Sequence, residues 1–133
     1  MSNLLSDSKK GTLIIDIDGT LCETKTVNDS YADVKPNFDL IRKVSEYKNL
    51  GYKILLYTSR NMKSFDSNIG LINKHTAPVL LAWLEKWSVP YDEILYGKPW
   101  PGDNGFYVDD RSVRPSEFTA LTENQIHMLL AKK

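Results

Sequence analysis

A chain of 133 residues, 41% hydrophobic and 26% charged, has the length and composition of one ordinary globular domain rather than of a disordered segment. Its 17 Lys and Arg balance 17 Asp and Glu, and this zero net charge gives no support to nucleic acid or a membrane surface as partner. The single cysteine, Cys22, excludes an intramolecular disulfide, and no run reaches the roughly 18 apolar residues that cross a bilayer, so a reducing, cytoplasmic setting is expected.

In chain order, residues 1–11 read as a polar lead-in without the hydrophobic stretch of a signal peptide. Thr12 to Ile17 is a β-branched run, apolar on both faces, which predicts a first strand at the centre of a parallel sheet. A polar, irregular loop follows from Leu21 to Lys35. Pro36 opens a helix carrying Phe38, Leu40, Ile41, Val44 and Tyr47, closed at Leu50-Gly51. Lys53 to Tyr57 is the second strand, ending in the polar triplet Thr58-Ser59-Arg60. The stretch from Asn61 to Ala77 is weakly patterned, and Pro78 then opens a firmer helix over VLLAWLEKW. Glu93 to Tyr96 is a third strand and Phe106 to Val108 a fourth, with a last helix starting at Glu117 or Thr122. Strands alternating with helices predict one α/β domain over 1–133, with a core of about 12–131, built on a parallel sheet with right-handed crossovers.

Each predicted strand ends in polar chemistry, and ligands of open α/β sheets bind beyond the carboxyl ends of their strands. Asp16 and Asp18 follow the first strand, Thr58 ends the second, Lys98 follows the third, and Asp109-Asp110 end the fourth. Alternation along a strand points Asp16 and Asp18 the same way, and such a pair needs a neutralising partner. A cluster of Asp16, Asp18, Asp109 and Asp110 is a hard-oxygen site suited to Mg²⁺, and with Lys98 the cation would let an anionic substrate approach.

This arrangement resembles the haloacid dehalogenase-like (HAD) phosphatase superfamily, whose four motifs lie on successive strands of a Rossmann-like sheet. DIDGT, from Asp16 to Thr20, looks like the first motif, and Thr58 in YTSR the second. Lys98 in GKP looks like the third, and Asp109-Asp110 in YVDDR the fourth. More narrowly, TSRNM, INKHT, PYDEILYGKPW and GFYVDDRSVRPSEF look like a branch of capsular-polysaccharide biosynthesis phosphatases.

The resemblance implies a three-layer, HAD-like fold and a hydrolase that removes phosphate from a phosphorylated sugar or nucleotide-linked sugar precursor. Asp16 would be the nucleophile, Asp18 the acid and base, with its pKa raised relative to Asp16. Thr58, Ser59 and Lys98 would hold the phosphoryl group. Asp16, the backbone carbonyl of Asp18, and Asp110 would hold Mg²⁺, with Asp109 behind them or acting through water. The segments after Asp18 and from Asn61 to Ala77 are too short for an inserted cap domain, so an open site is expected. Capless relatives take large substrates or borrow a lid from a neighbouring subunit of a homo-oligomer. Arg60, Asn61, Asn68, Lys74, His75 and Trp100 are the substrate-binding candidates by position.

Plainer roles compete for several residues. His75 reads first as an exposed or capping histidine, His127 as a helix-surface residue, and Trp83 and Trp87 as packing. Trp100 is balanced between packing and substrate contact, Arg111 and Arg114 between carboxylate partners and substrate, and Cys22 reads as inert. A signalling receiver domain would place its acid pair on the first strand and its lone phospho-accepting Asp later, the reverse of this order. A HAD fold that only binds phosphate, as scaffold or sensor, is the alternative to an enzyme.

Overall fold

The structure is a computed structural model, and it describes residues 10–132. The predicted lead-in therefore falls, through Lys9, outside the described residues. Packing divides the chain into two compact units, Met1–Trp100 and Pro101–Lys133.

The first unit is an α/β arrangement around a three-stranded parallel sheet in the order β1-β2-β3. Strand β1 (Thr12–Ile15) pairs with β2 (Lys53–Thr58) from Thr12↔Lys53 to Ile15↔Leu56, and β2 pairs with β3 (Glu93–Tyr96) from Leu55↔Glu93 to Thr58↔Tyr96. Parallel neighbours need a crossover, and helices supply both. Helix α1 (Phe38–Asn49) joins β1 to β2. Its N-cap is Asn37, whose side chain accepts the Leu40 N–H, so Pro36 lies just ahead of the helix rather than in it. Leu40, Ile41, Val44 and Tyr47 form its buried face.

Between β2 and β3 the helix is longer than Pro78 suggests. It begins as α2 (Ile69–Leu71), passes through a π-helical turn over Ile72–Thr76, and continues as α3 (Ala77–Lys86). Trp83 is 1% exposed, and its indole N–H donates to the Val34 carbonyl at 2.8 Å, tying the long loop to the core. Trp87 packs edge-on against Phe38 with ring centroids 5.5 Å apart.

Two sheet expectations are corrected. The central strand is β2, whose Ile54, Leu56 and Thr58 are buried. β1 is an edge of this sheet, with Ile14 64% exposed. The predicted fourth strand, Phe106 to Val108, is irregular, with Phe106 78% and Val108 90% exposed. Three residues between Gly105 and two aspartates carry strand propensity, but propensity forms no ladder without a paired neighbour.

In the second unit, α4 (Pro115–Ala120) and α5 (Glu123–Ala131) replace the single helix expected there. Thr122 and Gln125 cap α5 reciprocally, at 2.8 and 3.2 Å. Among the described residues no helix is long and apolar enough to cross a membrane.

Candidate active site

Past Ile15 the chain leaves the sheet but keeps the alternation of a strand. Ile15 and Ile17 are buried while Asp16 and Asp18 are part-exposed, so the two aspartates share a face as expected. The turn beyond is tight, because the Ile17 carbonyl accepts N–H bonds from Thr20, Leu21 and Cys22. Gly19 makes that turn at φ 83°, a region where a side chain would strain the backbone.

The two carboxylates are neutralised by different cations. Lys98 follows β3 after Gly97, and its backbone N–H donates to the Thr58 carbonyl at 3.0 Å. Its Nζ lies 3.5 Å from Asp16 Oδ1, and Thr20 Oγ1 donates to Asp16 Oδ2 at 3.3 Å. Burial nevertheless pushes the Asp16 carboxyl above its ordinary value, against the pull of Lys98, the Ile17 N–H and Thr20.

Asp18 is gripped by Arg60 from the end of β2. Arg60 Nε donates to Asp18 Oδ2 at 3.1 Å and Nη2 to Oδ1 at 2.9 Å, a two-pronged pair. The Arg60 side chain is only 1% exposed. The Tyr31 ring covers the guanidinium, 4.2 Å from Cζ to the ring centroid. Thr58, itself 1% exposed, accepts the Arg60 backbone N–H on its hydroxyl at 3.0 Å. Asp18 thus faces a buried guanidinium, while the raised carboxyl is that of Asp16. Cys22 is also here, its thiol 3.6 Å from Asp18 Oδ1. Burial, and then the Asp18 charge, push that thiol up to about 12, so it stays protonated and inert, as expected.

Asp16 is a part-exposed carboxylate still disfavoured as an anion with Lys98 at hand, which suits a hard divalent cation. The Asp18 carboxylate is committed to Arg60, so its backbone carbonyl is the donor it would offer. Among the described residues no group of three or more His, Cys, Asp or Glu is arranged to hold a metal ion. Asp109 and Asp110 lie in the second unit and are exposed; Asp109 accepts the Arg111 N–H at 2.8 Å.

No protein-family model matches the chain, and no curated protein matches it. Among solved structures, a crystallographic target from Vibrio cholerae matches with a TM-score of 0.87 at 49% identity, over 91% of this chain and 97% of that one. The chain belongs to one family with this Vibrio cholerae protein. That protein's description names no activity, so family membership leaves the chemistry to the site. A chain of the Pnkp1/Rnl/Hen1 complex matches with a TM-score of 0.51 at 22% identity, over 86% of this chain and 35% of that one. That likeness is one of fold alone.

The remaining candidates of this family member separate by what their side chains do. Asn68 caps α2, accepting the Leu71 N–H at 3.1 Å. Lys74 is exposed. Asn61 adopts φ 62° and accepts the Thr76 hydroxyl at 2.7 Å. His75 is exposed beside Phe65, with ring centroids 5.7 Å apart, and Trp100 lies beneath the Lys63 ammonium at 5.2 Å. A cavity of about 470 Å³ at the start of α1 is lined by Gly19 and Asn37 but by none of Asp16, Thr58 or Lys98. A second, of about 290 Å³, is lined by Arg60 and likewise by none of Asp16, Asp18, Thr58 or Lys98. Sequence reasoning missed Thr20 and Tyr31. Thr20 lies inside the quoted first motif, while Tyr31 is a lone aromatic in a polar loop, and no local pattern marks it.

Proposed function

We propose that the chain is a capless HAD-type phosphomonoester hydrolase that acts through an aspartyl-phosphate on Asp16. Its substrate is a phosphorylated sugar or sugar-linked precursor of capsular polysaccharide. One arrangement supports this above all: a part-exposed carboxylate, Asp16, flanked by Lys98 and Thr20 beyond the carboxyl ends of parallel strands. The order of the polar motifs and the phrases shared with the capsular branch supply the rest.

In the first step an Asp16 oxygen attacks phosphorus, the bond to the leaving oxygen breaks, and that oxygen takes the proton of a protonated Asp18. In the second, water attacks phosphorus, gives its proton to the Asp18 carboxylate, and the bond to Asp16 breaks to release phosphate. The Arg60 fork suits Asp18 as the base of the second step. For the first, Asp18 takes up a proton and gives up one of its two bonds to Arg60. Lys98 offsets charge on Asp16 and on the phosphoryl group, and the resemblance gives Thr58 and Ser59 the part of further phosphate contacts. Asp16 and the Asp18 carbonyl would be donors to Mg²⁺, which would supply the charge that lets phosphate and carboxylate meet.

The test is phosphate release from para-nitrophenyl phosphate and a panel of sugar phosphates, with Mg²⁺, with excess EDTA, and with Asp16→Asn. Release that needs the metal and falls by about 10⁴-fold or more in the variant is expected. Folded, Mg²⁺-supplemented protein that releases nothing from any member would replace the enzyme with a phosphate-binding module.

A further inference from the structure

We propose that the roughly 290 Å³ pocket behind Arg60 is the subsite for the leaving group, and that it takes a single uncharged sugar ring. The inference deepens the phosphatase reading and rests on it. Arg60 joins the two places: its guanidinium grips Asp18, and the same side chain lines the pocket. A leaving group held there would share Arg60 with the residue that hands it a proton.

The lining chemistry selects the ligand. Tyr31 and His75 offer rings and Val79 an alkyl surface, which suit the C–H faces of a pyranose. Asn61 and Thr76 offer an amide and a hydroxyl for its edge. No carboxylate and no lysine lines the pocket, and the charge of Arg60 is already matched by Asp18, so nothing there recruits a second charge. The volume sits at the small end of ligand cavities, room for one ring rather than an extended oligosaccharide.

Two strained pieces of backbone meet at this wall. Asn61 is left-handed at φ 62°, and the π-helical turn over Ile72–Thr76 is closed by the Ala77 N–H donating to the Ile72 carbonyl. The 2.7 Å bond from Thr76 to Asn61 ties one to the other. Together they place His75 and Thr76 at the pocket. Arg60 Nη1 is also buried without a hydrogen-bond partner among the described residues. A ligand hydroxyl brought within reach would satisfy a donor that is otherwise costly to bury.

The experiment is a titration of Asp16→Asn protein with Mg²⁺ against inorganic phosphate and against the 1- and 6-phosphates of glucose, mannose and galactose. It is followed by NMR of the His75 imidazole and repeated with Val79→Trp and Tyr31→Ala, with melting curves to show that each variant is folded. The best sugar phosphate should bind at least about tenfold tighter than phosphate, and it alone should move the His75 signals. Filling the pocket in Val79→Trp should bring the two affinities together; Tyr31→Ala should weaken the sugar phosphate selectively.

An advantage that is absent, or that survives Val79→Trp, overturns the subsite. Release of phosphate from acetyl phosphate by the unmodified protein reports on the phosphatase separately. Turnover without the sugar advantage sinks the subsite and keeps the enzyme. The advantage without turnover keeps the subsite and sinks the enzyme.

Discussion

Asp16 and Asp18 stand on a backbone that keeps its strand alternation, beside buried isoleucines, and each has its own cation: Lys98 for one, Arg60 for the other. Asp109 and Asp110 stand in an irregular, exposed stretch, where Asp109 accepts the N–H of Arg111 two residues on. In sequence the two pairs look alike, acids at the end of an apolar run. The difference lies in what stands behind them. Buried neighbours aim the first pair, so its geometry is a property of the fold. The second pair has a local turn behind it, so its geometry is a property of a few residues.

Removing what stands behind Asp18 tests this contrast most severely. Arg60→Ala leaves a part-buried carboxylate without its guanidinium and takes from Tyr31 the nearer of its two cations. A loss of about 3 kcal/mol of stability in urea denaturation is expected, together with a loss of phosphate release. Arg60→Lys should recover part of the stability but little activity, since an ammonium cannot fork across both oxygens. If Arg60→Ala unfolds like the parent, the first pair is no better built than the second.

Asp92 sharpens the comparison from another side, as a well-built carboxylate with no catalytic task. Burial works to raise its pKa, but Lys48, the Ile54 N–H and the Lys53 charge outweigh it and hold the carboxyl below its ordinary value of 3.8. Its Oδ2 accepts the Ile54 N–H at 2.8 Å while Oδ1 pairs with Lys48, pinning the start of β3 to β2. With the folded value below the unfolded one, the unfolded chain binds more protons between them. The stabilisation is therefore complete above the unfolded value and is lost as pH falls through the folded one. Asp92→Asn should cost about 1.5 kcal/mol near neutral pH, with the two proteins converging in stability only as pH falls through the folded value, below 3.8. Asp16 is shifted the other way, so its charge costs the fold stability where that of Asp92 adds it.

The same distinction explains how much could be read beforehand. β2, β3 and α1 were legible because their residues carry their own punctuation. Pro36 stands just ahead of α1, and Gly51 and the polar triplet from Thr58 bracket β2. Asp16, Asp18 and Lys98 were legible because each follows such an element, and the structure brings Lys98 to Asp16. The partner of Asp18 was not. Arg60 lies 42 residues away, and only the tertiary fold turns its fork onto Asp18. The π-helical turn was equally hidden, since one extra residue in a helix leaves no mark in a stretch as weakly patterned as INKHT. β1 misled for the opposite reason. A run apolar on both faces states that it can be covered on both, and cannot state by what.

The smallest expected effects fall on the second pair, and they decide between its members. The HAD resemblance makes Asp110 a metal donor, and on that reading Asp110→Asn should raise the Mg²⁺ concentration for half-maximal phosphate release by about tenfold. Asp109→Asn keeps an oxygen for the Arg111 N–H and should shift that concentration by less than about twofold. Both residues are exposed, so neither change should move stability by more than about 0.5 kcal/mol. Exchanged magnitudes would make Asp109 the direct donor and the turn to Arg111 the device that aims it. Equal and negligible ones would leave any metal to Asp16 and the Asp18 carbonyl. The exposed pair would then be a surface turn, and the likeness between the two acid pairs would end at the sequence.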